Sequence, residues 1–214
     1  MDGYPLKVAK FIAPLIRVNI KVQTAEPDPV IGDNDLVAQA IKGRVSAFKE
    51  LVERYQRRTY FFALGMVHNP DDARDLSQEA FVRVLKHLKR FDQKYPFKIW
   101  LFHILSNLCK NHLRQRNTHD NVVVGAADDM ASTIPDHRNP EAALDQIELK
   151  SQVWKAIGLL PEKFREIIIL SHFQEMTYDQ MAQVLEIPRG SVMSRLYYAR
   201  LKLREILEKM GVEL

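Results

Sequence analysis

Cations, amides and aromatic rings are concentrated in residues 91–116, where a loop leads into a predicted helix. The candidate contacts are Lys94, Tyr95, Phe97, Asn107, Lys110, Asn111 and Arg114. Amides can read base edges, aromatic rings can stack on unstacked bases, and cations can follow a phosphate backbone. This inventory suits recognition of single-stranded nucleic acid. The alternative is that the aromatic rings are packed in the core, which the apolar stripe around Trp100 favours for that residue.

A second candidate recognition surface lies in residues 176–204, whose pattern predicts two short helices joined by a tight turn. Thr177 and Gln180 have the spacing of a capping box, so the first helix should begin at Tyr178. A proline then breaks the helix, and Ser191 is the expected N-cap of the second helix. The outward face of that helix carries polar, aromatic and cationic residues: Ser191, Ser194, Arg195, Tyr197, Tyr198, Arg200 and Lys202. Such a helix suits the major groove of DNA, although a solvated helix of a bundle could look alike.

The helix predicted at residues 70–88 has an ordered polar face. Asn69 should cap it, because asparagine followed by proline is a preferred helix start. Asp75, Gln78 and Glu79 form a compact hydrogen-bonding patch, and Arg83 lies on the same outward side. The patch suits a basic partner helix, whereas ordinary solvated charges would have similar spacing.

The composition favours an all-α protein, because 10 prolines and 8 glycines punctuate helical patterns and strand signals are scarce. A net charge of +4 favours an anionic partner. The single cysteine, Cys109, excludes an internal disulfide and suits a reducing compartment. No apolar stretch approaches the roughly 20 residues of a membrane span. With no secretory signal pattern, these features predict a cytoplasmic protein.

Residues suited to catalysis or metal binding do not occur at useful spacings. His103, Cys109 and His112 lack an evident fourth ligand, so we expect no metal site there. Neither an acid and base pair nor a nucleophile with its base is recognisable. We therefore expect no catalytic residue and no cofactor, which disfavours an enzyme acting on nucleic acid.

The chain divides into two predicted helical domains joined by a flexible linker. Residues 1–30 form an N-terminal extension without an assigned role, and residues 31–116 form the first domain. Residues 117–138 lose helical periodicity and are the predicted linker. Residues 139–214 form the second domain, which contains the helix-turn-helix.

Three segments together resemble the bacterial RNA polymerase sigma factors of the extracytoplasmic-function (ECF) type, in the sigma-70 family. They are DDARDLSQEAFVRV at 71–84, PFKIWLFHILSNLCKNHLR at 96–114, and LPEKFREIIIL with TYDQMAQVLEIPRGSVMSRLYYAR within 160–200. The resemblance implies a transcription initiation subunit without catalytic residues of its own. It implies that Asp75, Gln78 and Glu79 dock on core polymerase. The loop at 92–97, Asn107 and Asn111 would handle the melted minus-ten element, and the last helix would read the minus-thirty-five element.

The resemblance also implies an anti-sigma partner, and we expect the free protein to be a monomer. A stand-alone helix-turn-helix regulator is the alternative, but it leaves the two polar faces of the first domain unexplained. Met193 and Tyr198 occupy positions where the family often has basic residues, so the promoter sequence cannot be transferred. Glu175 stands where glycine is common, and a left-handed backbone there would cost about 1 kcal/mol.

Overall fold

The computed structural model describes residues 31–119, Leu149 and residues 151–212. Every regular element in these residues is helical, which confirms the all-α prediction. The first group comprises α1 (Asp33–Ile41), α2 (Val45–Val67), α3 (Pro70–His87), a 3-10 turn (Leu88–Arg90) and α4 (Phe97–His119). The second comprises α5 (151–158), α6 (Glu162–Ile168), a π-helical turn (Ile169–Phe173), α7 (Tyr178–Leu185) and α8 (Arg189–Lys209).

Contacts divide the chain into two compact units, one built around α1–α4 and the other around α5–α8. The N-terminal extension at 1–30 lies outside the described residues, as do residues 120–138 of the predicted linker. Helix α4 continues to His119, three residues beyond the predicted end of the first domain.

The central helix of the first unit is α2, because its buried residues recur at helical spacing. Leu51, Tyr55, Phe62 and Met66 are all buried. The Phe62 ring meets Phe102 of α4 edge to face, with centroids 5.5 Å apart. This packing of aromatic rings holds α4 against α2 and so fixes which face of α4 is directed outward.

The start of α3 follows the predicted cap. The side-chain oxygen Oδ1 of Asn69 accepts hydrogen bonds from the backbone N–H groups of Asp71 and Asp72, both at 2.9 Å. Two of the otherwise unpaired donors at the helix N-terminus are thereby satisfied. His68 ends α2 in a left-handed conformation with φ 55°, which turns the chain into this cap.

The second unit contains the predicted helix-turn-helix. The Thr177 N–H donates to Gln180 Oε1 at 3.0 Å, and the Gln180 N–H donates to Thr177 Oγ1 at 3.2 Å, which confirms the capping box. Helix α8 begins at Arg189, so Ser191 is not its N-cap. Pro188 has φ −57° and its carbonyl accepts from the Ser191 N–H at 2.9 Å, which starts the helix earlier than predicted.

The buried stripe of α8 contains Val192, Leu196, Ala199 and Leu203, as the spacing predicts. The π-helical turn was not predicted. After it, Glu175 adopts φ +50°, so the position where the family often has glycine does take the left-handed conformation. The Met176 N–H donates to the Leu170 carbonyl at 3.1 Å and holds this turn closed.

Candidate functional site

The polar face of α3 presents four predicted contact residues together. Asp75, Glu79 and Arg83 recur every four residues, so they lie along one side of the helix with Gln78 beside them. Arg83 Nε donates a 2.8 Å hydrogen bond to Glu79 Oε1. This bond lowers the pKa of Glu79 and keeps the carboxylate ionised. Two exposed apolar side chains lie on the same helix: Val82 and Leu85.

The loop before α4 exposes a cation and an aromatic ring. Lys94 and Tyr95 are both exposed, Tyr95 with half of its surface open (50%). The Asp92 carboxylate accepts from the Lys94 N–H at 3.0 Å, and the Asp92 carbonyl accepts from the Tyr95 N–H at 3.1 Å. The loop is therefore a closed turn that starts at Asp92, with the Tyr95 ring accessible for stacking.

Phe97 has a different position from the predicted one. Its side chain is completely buried, with ring centroids 5.6 Å from Tyr55 and 6.2 Å from Phe91. A ring enclosed in this way cannot stack on a base, so Phe97 belongs to the core and the expectation of a nucleic-acid contact is corrected. Trp100 is half-buried and stacks on Phe91 with centroids 4.8 Å apart. This agrees with the alternative that its ring packs against the core.

One face of α4 presents the predicted amides and cations. Asn107, Lys110, Asn111 and Arg114 lie at spacings of three and four residues, which places them on the same side. Asn107, Asn111 and Arg114 are exposed, and Lys110 is half-buried. The Asn107 amide lies 3.0 Å from His103 Nε2, which fixes its orientation.

The outward face of α8 presents most of the predicted residues. Ser194, Tyr197, Tyr198 and Lys202 are exposed, and Ser191 and Arg195 are half-buried. The rings of Tyr197 and Tyr198 meet edge to face with centroids 5.3 Å apart. The Ser194 hydroxyl donates to the Ser191 carbonyl at 3.2 Å, which leaves the oxygen lone pairs of Ser194 directed outward.

Arg200 does not join this outward face. It is half-buried and donates a hydrogen bond to the Tyr178 hydroxyl of α7. Burial lowers the pKa of Arg200. The expected ring of phosphate-facing cations on α8 therefore has to be corrected at this position, because the guanidinium joins the two helices of the helix-turn-helix.

Asn34 is a residue that sequence reasoning missed. Its side-chain amide donates to the carbonyls of Gln93 and Tyr95, at 2.8 and 3.2 Å, and its carbonyl oxygen accepts from the Phe97 N–H at 3.2 Å. These bonds connect residues about 60 positions apart, so no local pattern could have indicated them.

No group of three or more His, Cys, Asp or Glu side chains in the described residues could hold a metal ion. Cys109 is buried, and His112 Nε2 lies 3.2 Å from Asp72 Oδ2. None of the described helices is both long and apolar enough to cross a membrane.

Family models match both helical units. Residues 51–118 match the model described as Sigma-70 region 2, and residues 150–203 match Sigma-70, region 4. The chain is 32% identical over 185 residues to the RNA polymerase sigma-H factor of Pseudomonas aeruginosa, covering 83% of this chain and 95% of that relative. It is 31% identical over 173 residues to the ECF RNA polymerase sigma-E factor of Escherichia coli K12, covering 78% and 90%. The chain belongs to the ECF-type sigma-70 family.

Solved structures are also similar to this ECF sigma factor. One is CnrH in complex with the cytosolic domain of CnrY, with 27% identity, a TM-score of 0.62, and coverage of 83% of this chain and 97% of that one. Another is the sigma factor RpoE in complex with the anti-sigma factor NepR from Bartonella quintana, with 26% identity and a TM-score of 0.62. It covers 77% of this chain and 98% of the solved chain.

As an ECF sigma factor, the protein is a non-catalytic subunit that binds core RNA polymerase and promoter elements at transcription initiation. The region 2 match includes α3 and most of α4, and the region 4 match includes α7 and most of α8. The resemblance inferred from the three sequence segments is thus confirmed. A stand-alone helix-turn-helix regulator would not account for the region 2 match.

Proposed function

We propose that this sigma factor divides its work among three surfaces. The polymerase-docking face comprises Asp75, Gln78, Glu79 and Arg83. The minus-ten surface comprises Lys94, Tyr95, Asn107, Lys110, Asn111 and Arg114. The minus-thirty-five surface comprises Ser191, Ser194, Arg195, Tyr197, Tyr198 and Lys202.

The observation that carries this proposal is the exposed α4 face of two amides and neighbouring cations, in the unit that also exposes Tyr95. Extruding a base from a duplex costs a few kcal/mol, which stacking and hydrogen bonding in a pocket can offset. A ring such as Tyr95 supplies stacking, and Asn107 and Asn111 supply hydrogen bonds to base edges. The proposed result is stabilisation of the opened minus-ten element.

We further propose the domain boundaries that the sequence predicts. The extension spans 1–30, the region 2-like domain 31–116, the linker 117–138 and the region 4-like domain 139–214. The protein would act in the cytoplasm, where core polymerase and promoter DNA are found. One anti-sigma protein would bind it, as suggested by the similar RpoE chain solved with NepR, and the free protein would be a monomer.

The experiment has two stages. Run-off transcription with core polymerase on a genomic promoter library should give specific start sites and so yield the promoter sequence. On one such promoter, Asn107→Ala with Asn111→Ala should reduce permanganate reactivity of the minus-ten strand more than it reduces duplex binding by holoenzyme. Gln56→Ala is the matched control, an exposed amide on α2. Equal loss in opening and duplex binding would contradict base capture.

A further inference from the structure

The side chain of Asn34 uses all three of its hydrogen bonds on one loop. Two donated bonds reach the Gln93 and Tyr95 carbonyls at 2.8 and 3.2 Å, and one accepted bond comes from the Phe97 N–H at 3.2 Å. The partners fix the amide orientation, because carbonyls need a donor and an N–H needs an acceptor. The loop at 92–97 is therefore held from outside at three backbone positions.

The bond to Phe97 has a second consequence. Phe97 is the first residue of α4, and the first N–H groups of a helix have no partner within the helix. Asn34 thus caps α4 from another element. Since Tyr95 lies between the two outer bonds, the backbone that carries its exposed ring is fixed relative to α4.

The element that carries Asn34 is itself anchored. Its neighbour Asp33 accepts a 2.9 Å hydrogen bond from Arg54 Nη1 and another from the Tyr55 hydroxyl. Arg54 Nη1 also donates to the Ile31 carbonyl at 2.8 Å. These contacts fasten the start of α1 to α2, so Asn34 acts from a rigid support. Burial, followed by the hydrogen bond to Asp33, raises the pKa of Tyr55, so its hydroxyl remains a donor.

We propose that Asn34 is a positioning residue that holds the loop at 92–97 in the conformation that captures a minus-ten base. The inference rests on the proposed function of that loop. Asn34 lies before residue 51, where the match to region 2 begins. Holding the loop before DNA arrives avoids the entropy cost of ordering it during promoter opening. A loop displaced by about 1 Å would lose much of that advantage, as misplacement of reacting groups does in catalysis.

The test compares two substitutions at this site with one control. Asn34→Asp keeps the shape and the acceptor for Phe97 but places a carboxylate oxygen against two carbonyls. Asn34→Ala removes all three bonds. The control is Gln39→Ala on the same helix, because the Gln39 amide oxygen accepts a local 2.9 Å bond from Arg44 Nη1 and does not depend on the loop.

Each variant is assembled with core polymerase on the promoter found by run-off transcription. The rate of promoter opening is measured by permanganate footprinting on four templates that differ at the captured base. We expect Asn34→Asp and Asn34→Ala to open the promoter roughly tenfold more slowly and to lose most of the base preference. Core affinity, measured at a temperature where every variant is folded, should match that of Gln39→Ala.

Wild-type opening rates and base preference in Asn34→Asp would overturn the inference. So would a fall in core affinity proportional to the fall in opening, since that indicates general damage. If Asn34→Ala unfolds, Asn34→Asp decides alone. Failure of the proposed function is distinguishable, because it would appear as an equal loss of opening and duplex binding in the Asn107→Ala with Asn111→Ala protein, before any Asn34 variant is compared, and it would overturn this inference too.

Discussion

Arg83 and Glu79 are joined by a 2.8 Å hydrogen bond across one turn of α3. Both side chains are partly open to solvent, with relative exposures of 45% and 43%. Ion pairs in such positions contribute little to folding. Removal of these two side chains should therefore weaken the binding of a partner more than it destabilises the fold.

The first prediction concerns this docking face. Gln78→Ala with Glu79→Ala should weaken core polymerase binding at least roughly tenfold, about 1.4 kcal/mol, because two polar contacts to a basic partner are lost. Fluorescence anisotropy of labelled protein titrated with core polymerase measures this affinity. Lys49→Ala with Glu53→Ala is the matched control, since it removes an exposed 3.6 Å ion pair from α2. Unchanged affinity in a folded double variant would remove the face from the docking surface.

The second prediction distinguishes the roles of Tyr95 and Phe97, which lie two positions apart in the sequence. Phe97→Ala should lower the free energy of unfolding by roughly 3–5 kcal/mol, because a fully buried ring is lost. Tyr95→Ala should change it by less than about 0.5 kcal/mol, because the ring is on the surface, yet should impair promoter opening. Urea unfolding and permanganate footprinting measure the two effects. The opposite pattern, with a stable Phe97→Ala protein, would contradict the core assignment.

Sequence reasoning succeeded where the physical cause is local. Asn69 caps α3 and Thr177 pairs with Gln180 because each contact spans three residues or fewer, so the pattern is visible in the sequence. The buried stripe of α8 was also predictable, since helical spacing alone places Val192 and Leu196 on one face.

Prediction failed where burial depends on distant elements. Phe97 and Arg200 have residue types suited to nucleic-acid contacts, but Tyr55 encloses the first and Tyr178 holds the second. Residue type therefore indicated which helices carry the candidate contacts but not which of their side chains face outward.

The third prediction concerns α8. The Ser194 hydrogen is donated to Ser191, so its oxygen can accept from a base, and the amino groups of adenine and cytosine are the major-groove donors. Ser194→Ala should reduce preference for such a base at one minus-thirty-five position. Arg195→Ala should instead weaken binding to all sequences alike. The salt slope, which is the slope of the log of the binding constant against the log of the salt concentration, should decrease in magnitude by about 0.9 per lost phosphate contact. Selection of bound sequences and salt titration measure these effects.

Arg200→Ala is the informative comparison for that experiment. Because Arg200 is half-buried against Tyr178, its loss should lower the thermal midpoint, and the salt slope of the folded fraction should stay unchanged. A reduced salt slope with an unchanged midpoint would return Arg200 to the DNA-contacting face.

The last prediction concerns the pH dependence of the second unit. Burial, assisted by the charge of Arg200, lowers the pKa of His172 from 6.5 to about 4. Between those values the unfolded chain binds a proton at this position and the folded chain does not. The free energy of unfolding of the second unit should therefore increase with pH across this window. As the pH decreases from about 6.5 to about 4, the expected loss is on the order of 3 kcal/mol.

His172→Gln isolates this effect, because the amide does not titrate and the other groups of the chain are unchanged. Urea unfolding of both proteins, at several values between pH 4 and pH 7, should show a shallower pH dependence for the variant in the transition of the second unit. His172 is the one histidine within residues 151–212. Its imidazole NMR signal can therefore be assigned, because that signal is missing from the spectrum of the variant. A titration midpoint near 6.5, or equal slopes in the two proteins, would show that the ring is solvated and that Arg200 does not act on it.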